Sequence, residues 1–184
     1  MSEQGTGSWP RHPPERFRTL SGREILIRDM EPADREREQA FVRGLSERAR
    51  RFRFMSLLKE LPPRLLERFI HPDPDRETVL VALDPETDRF LAVARFILME
   101  QGDGCEFAIV VGDDCRGEGI GRHLMARLIE DAEARGLGWI EGIVLRDNQD
   151  MKRLLRHMGF RFVHHADDRD VFQALIDLPR DRSG

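Results

Sequence analysis

Chemistry in this chain is concentrated in one segment. The apolar run Cys105 to Val111 leads into Arg116-Gly117-Glu118-Gly119-Ile120-Gly121-Arg122, and an amphipathic pattern follows at once. Gly117, Gly119 and Gly121 let a backbone approach a ligand closely. The first N–H groups of a helix have no partner within it, and the positive end of the helix dipole lies behind them. A glycine-rich loop opening a helix is therefore an anion cradle, with phosphate as its common guest. A tight strand-to-helix turn without a ligand would use the same residues. The spacing G-x-G-x-G does not meet the dinucleotide fingerprint G-x-G-x-x-G, and Arg122-His123 stands where a P-loop needs Lys-Ser/Thr.

The elements around this segment alternate. Arg16–Leu20 and Arg23–Arg28 flank Ser21-Gly22 and predict a hairpin with a two-residue turn. Pro32 opens a helix to about Gly44, Ser46 caps a second from Glu47 to about Met55, and Pro62-Pro63 opens a third carrying Leu65, Leu66 and Phe69. Strands are predicted over Thr78–Leu83, Phe90–Glu100 and Cys105–Val111, the last so apolar that it should be central. Ile120, Leu124, Leu128, Ile129 and Ala132 mark a helix face ending at Gly136. Trp139–Leu145 is a strand, Met151, Leu154, Leu155 and Met158 mark a shorter helix, and Phe160–His164 and Val171–Leu178 close with a strand pair. The fold class is α/β (α+β) with a mixed, largely antiparallel sheet.

At 184 residues the chain is one domain, residues 15–178, between polar tails at 1–14 and 179–184. A net charge of −4 argues against a general nucleic-acid binder. No run reaches the roughly 20 apolar residues of a membrane span, and the N-terminus has no signal-like apolar core. Cys105 and Cys115 are too few for a disulfide framework, so a reducing, cytoplasmic setting is expected. Arginines 43, 48, 50, 51 and 53 interleave with Phe52 and Phe54; the expected arrangement is an amphipathic helix with Phe52 and Met55 inward and the arginines in water, rather than a nucleic-acid site. His164-His165 lacks a third ligand at a recognisable spacing, so no metal is expected.

Arg116-Gly117-Glu118-Gly119-Ile120-Gly121 resembles the acetyl-CoA pyrophosphate motif of the GNAT superfamily of N-acetyltransferases, [RQ]-x-x-G-x-[GA]. Asn148, Met151 and Gly159-Phe160 match the superfamily's second signature, N-x-x-[AM] with a later glycine-aromatic pair. The resemblance runs from about Arg23 to Leu178. Within the superfamily the chain most resembles the acetyltransferase domain of bacterial protein lysine acetyltransferases, on Ile27-Arg28, Pro32-Ala33-Asp34, Gly44-Leu45-Ser46, Arg51-Phe52-Arg53-Phe54, Leu61-Pro62-Pro63-Arg64-Leu65-Leu66 and Asp75-Arg76-Glu77.

The resemblance implies a twisted sheet flanked by helices, with Cys105–Val111 and Gly138–Leu145 splayed at one end. Acetyl-CoA would lie in the gap, its pantetheine beside Ile109, Val110 and Val111. Its pyrophosphate would sit on the N–H groups of Arg116, Gly117, Glu118, Gly119, Ile120, Gly121 and Arg122. Asn148 would touch the donor, cap the next helix, or do both. Glu106 resembles the glutamate general base of the protein-acetylating members, and an N–H near Val110 or Val111 would receive the thioester oxygen. The superfamily tyrosine that protonates the leaving thiolate has Leu155 at its position, and the chain contains no tyrosine. Cys115 and His157 are acid candidates by neighbourhood alone, and water would also serve. The implied reaction is acetylation of an amine, first a protein lysine; a small-molecule amine, or a non-catalytic acyl-CoA sensor, are the alternatives.

Overall fold

The computed structural model describes residues 12–56, 58–100, 102–165 and 168–179. Eight strands form one sheet in the order β1-β2-β3-β4-β5-β6-β8-β7. They are β1 (Glu15–Arg18), β2 (Glu24–Asp29), β3 (Glu77–Asp84), β4 (Arg89–Leu98), β5 (Gly104–Val111), β6 (Trp139–Leu145), β7 (Arg161–His164) and β8 (Val171–Asp177). Every pair is antiparallel except β5 with β6. That one parallel pair requires a crossover, which α4 (Ile120–Ala134) supplies.

The helices divide between the two faces. One apolar cluster joins α1 (Arg35–Gly44), α2 (Glu47–Phe54) and α3 (Pro63–Ile70) to Val79, Val81 and Val93 of the sheet. The other packs α4 and α5 (Gln149–His157) against Leu80, Ala94, Phe107 and Ile140. Leu124, Leu128 and Leu155 are fully buried there, each contributing about 1.5–3 kcal/mol. Local signals start and stop these helices as expected. The Ser46 hydroxyl accepts the Ala49 N–H at 3.2 Å, and Pro63 stands at the first position of α3.

The structure adjusts two boundaries. The β1–β2 connection runs from Thr19 to Arg23, and the Thr19 N–H to Arg23 C=O bond of 2.8 Å leaves three residues, Leu20–Gly22, in the turn instead of two. His12, expected in the N-terminal tail, packs against the fold. Its Nδ1 lies 2.9 Å from Asp29, and its Nε2 lies 3.6 Å from Asp131. Two carboxylates raise this imidazole to a pKa of about 9, Asp131 more than Asp29. Residues 1–11 and 180–184, most of the two expected tails, lie outside the described residues.

Strands β5 and β6 pair only at Gly104–Glu106 with Trp139–Glu141 and then part. Phe107 is the first residue past the fork. Its ring lies where a side chain on Gly142 would be, since a Cβ there would come within 2.6 Å. The glycine admits the ring, and the ring fills the space between strands that no longer bond.

Candidate active site

The fork leaves one edge of β5 without a sheet partner. Gly112 N–H bonds Leu91 C=O at 2.8 Å and Met99 N–H bonds Gly104 C=O at 3.0 Å. In an antiparallel ladder both main-chain groups of a residue point to the same side. The even-numbered residues of β5 therefore face β4, and the odd-numbered ones face β6. Past the fork, Phe107, Ile109 and Val111 turn N–H and C=O groups into the gap, where each needs a partner or water. Val110, expected beside them as an N–H donor, instead turns its main chain to β4 and its side chain toward the helical face of α1–α3.

A cavity of about 610 Å³ occupies this gap. Ile109, Val110, Val111, Arg116, Gly117, Glu118, Gly119, Ile120, Gly121, Arg122 and Asn148 all line it. Eleven positions read from two separate motifs thus share one cavity. Gly119 is the N-cap of α4, at φ 84°, and Gly117 lies at φ 75°. A Cβ on Gly117 would meet nothing, and one on Gly119 would meet Leu20 no closer than 3.6 Å. Backbone conformation rather than lack of room is what these two positions demand. Gly121 differs: its Cβ would meet Val111 at 3.3 Å and Leu154 at 3.5 Å, so its small size serves packing between β5 and α5.

Two supports hold the loop. Leu20 N–H bonds Glu118 C=O at 3.1 Å, and Ser21 N–H bonds the Glu118 carboxylate at 3.0 Å. The Glu118 side chain thus faces the hairpin. Asp113 accepts both the N–H and the hydroxyl of Ser46 at 2.8 Å, tying the loop to the start of α2, while Arg116 pairs with Asp113 at 2.8 Å. Asn148 caps α5 through Met151 N–H at 3.2 Å and lines the cavity as well, so both of its expected roles are geometrically compatible.

Glu106 stands at the fork, on the opposite side from the loop. It lines a separate surface groove of about 480 Å³ with Ile97, Leu98, Met99 and Glu100. It remains accessible to solvent and has no ion pair among the described residues. Desolvation, then the charge of Glu141 on the paired strand, raise its carboxyl above the ordinary value, and Arg53 opposes them.

The sequence reading missed the charges above Glu106. Arg53 does not point into water. Its guanidinium lies 5.0 Å from the Phe54 ring centroid and 5.5 Å from that of Phe69, and it lines the donor-side cavity. Met55, expected inward, is exposed instead, in a left-handed C-cap conformation. Arg95 pairs with Glu77 in the sheet interior and lies 4.4 Å from the Phe69 ring. Glu38 is buried, and its Oε2 has no hydrogen-bond partner among the described residues. Burial pushes its pKa up to about 7 against the attraction of Arg53 and Arg95. No sequence signal separates Arg53 from Arg48 or Arg51, because all three share one short basic helix. Both acid candidates line the cavity as well: Cys115 at the loop end, where burial and Asp114 push its thiol up to about 11, and His157 on the exposed face of α5, bonded to Arg153 C=O at 2.7 Å.

The model for the Acetyltransferase (GNAT) family matches residues 42–160. The chain belongs to the GNAT family. Acetyltransferase PA5475 of Pseudomonas aeruginosa is 33% identical over 149 residues, 80% of each chain. Acetyltransferase Pat of Mycolicibacterium smegmatis is 32% identical over 163 residues, 86% of this chain and 47% of Pat, so the present chain spans about half of that relative. The fold matches the GNAT domain of S. lividans PAT with a TM-score of 0.84 at 22% identity, covering 92% of this chain and 99% of that one. The mixed, mostly antiparallel sheet with a fork is thus the GNAT fold, and the chain is an acetyl-CoA-dependent acyltransferase. The cavity fits that donor: a helix N-terminus for anionic phosphates at one end, then a row of unpaired main-chain groups suited to an amide-bearing arm.

Proposed function

We propose that this GNAT enzyme acetylates lysine side chains of proteins, with Glu106 as general base. The observation that carries the reading is the placement of Glu106 in an open surface groove, outside the donor cavity but at its fork end. An amine carried on a protein surface can reach such a carboxylate without entering the cavity. Ile97, Leu98 and Met99 offer the groove apolar contact for a methylene chain, and the carboxylates Asp73, Glu77, Glu100 and Glu106 outnumber Arg68 and Arg76 on its lining. The likeness of the chain to bacterial protein lysine acetyltransferase domains supports the same acceptor.

Acetyl-CoA, when bound, supplies the acetyl group as an activated thioester. A lysine amine, near pKa 10.4, is mostly protonated at pH 7 and must lose a proton before it attacks. The raised carboxyl of Glu106 is suited to take that proton. The odd-numbered N–H groups of β5 facing the gap are suited to receive the thioester oxygen as charge develops on it. Glu106 passes the first amine proton to solvent, the neutral nitrogen bonds the acetyl carbon, the C–S bond breaks with its electron pair on sulfur, and the nitrogen's second proton leaves through Glu106.

The test is thiol release with a panel of lysine peptides, folded proteins, polyamines and amino acids, followed by mass mapping of the product. Lysine-bearing substrates should turn over. Glu106→Gln should lower the rate by about 10²–10⁴ at unchanged donor affinity. Turnover of small amines alone would reject the protein acceptor, and a Glu106→Gln enzyme as fast as wild type would reject the base.

A further inference from the structure

Arg53 is a half-buried cation with no counter-ion among the described residues. Among the described residues it makes no ion pair and no hydrogen bond, and two aromatic rings hold it in place. Glu38, from α1, attracts it but does not bond it, and leaves its own Oε2 without a partner. Arg95 on β4 is taken by Glu77 on β3. Glu106 on β5 faces Arg53 through space, and Glu141 on β6 stands beside Glu106. A half-buried, unpaired guanidinium that lines a cavity calls for an anion inside that cavity.

Position identifies the anion. The cavity runs along β5 from the glycine loop, past Val111 and Ile109, toward the fork. The loop takes the phosphates, so the reacting end of the donor lies toward the fork. Arg53 is the side chain that both lines this cavity and faces Glu106. The group that becomes anionic there during transfer is the sulfur, because breaking the C–S bond leaves its electron pair on sulfur. Nothing at the tyrosine position can protonate it: Leu155 is fully buried and apolar.

We propose that the Arg53 guanidinium receives the departing CoA sulfur as a thiolate, a fixed positive charge in place of a proton donor. In the balanced step the amine nitrogen bonds the acetyl carbon, its proton goes to Glu106, and sulfur leaves as the anion. It takes up a proton from solvent only after release. This inference rests on the GNAT donor site and not on the identity of the acceptor.

The test therefore uses no acceptor. Free CoA is bound to the folded protein and its thiol is titrated by thiolate absorbance near 240 nm, for wild type, Arg53→Gln and Arg53→Lys. Cooperative melting and CoA binding are checked for each variant. The bound thiol should be more acidic in wild type than in Arg53→Gln by about tenfold or more in its dissociation constant, as expected for one charge at close range. Arg53→Lys, which keeps the charge, should recover most of that difference if the glutamine variant folds poorly. Wild type and Arg53→Gln titrating together would overturn the proposal, as would a wild-type thiol no more acidic than free CoA. The outcome is independent of whether proteins or small amines are acetylated.

Discussion

The two sides of the fork are built from different materials. On the donor side the groups suited to hold the donor are main chain: odd-numbered groups of β5, the first turn of α4, and glycines at positive φ. Between the donor cavity and the acceptor groove lies a cluster of side-chain charges from five elements, Glu38, Arg53, Arg95, Glu106 and Glu141, of which Arg53 reaches the cavity and Glu106 the groove. Main-chain groups come in fixed geometry with the fold and cost little to present. Buried side-chain charges must be desolvated and balanced one against another. The donor is the same molecule in every turnover, whereas the acceptor defines the individual enzyme, and the two materials match that division.

The comparison can be broken first at the loop. Gly119→Val places a β-branched residue at φ 84°, where there is space for the side chain but not for the conformation. An L-residue costs roughly 1–2 kcal/mol in this region, and a β-branched one more. The loop should relax and withdraw its N–H groups, lowering acetyl-CoA affinity by about 10²-fold. Titration calorimetry and the rate at saturating donor separate the two sides. A rate loss at saturation larger than the affinity loss would mean that the loop also serves the chemistry.

A smaller effect is expected in the charge cluster. Glu38 is held at a pKa of about 7, raised by burial. An acid whose folded pKa lies above its unfolded value near 4.5 makes stability fall as pH rises between the two, and the loss is complete above about 7. Glu38→Gln should remove this dependence and stabilise the fold at pH 8 by about 2 kcal/mol. Urea titrations at pH 5 and pH 8 check it. Equal stability changes at both pH values would remove Glu38 as a strained charge.

What the sequence made legible follows the same division. Donor-side features are local: glycine spacing, the periodic face of α4 and the Asn148 cap each lie within one short segment. They can be read in one dimension, and β6 appears at its expected residues. Acceptor-side features are not local. Arg53 interacts with Glu38, Arg95 and Glu106 across as many as 53 residues of chain, and its inward turn depends on Phe54 and Phe69 packing above it. Sheet order was hidden for the same reason. β8 enters between β6 and β7, a long-range pairing that no local pattern encodes.

The claim on which the rest depends is that the donor arm pairs with β5 inside the fork. Residue-resolved amide hydrogen exchange, with and without acetyl-CoA, tests it directly. Ala108 and Val110 are already bonded to β4 and should exchange slowly in both states. Ile109 and Val111 face the gap and should exchange faster in the free protein, then become protected when the donor binds. Protection that appears at the glycine loop while Ile109 and Val111 remain unchanged would contradict the account, because the donor would then be held by its phosphates alone.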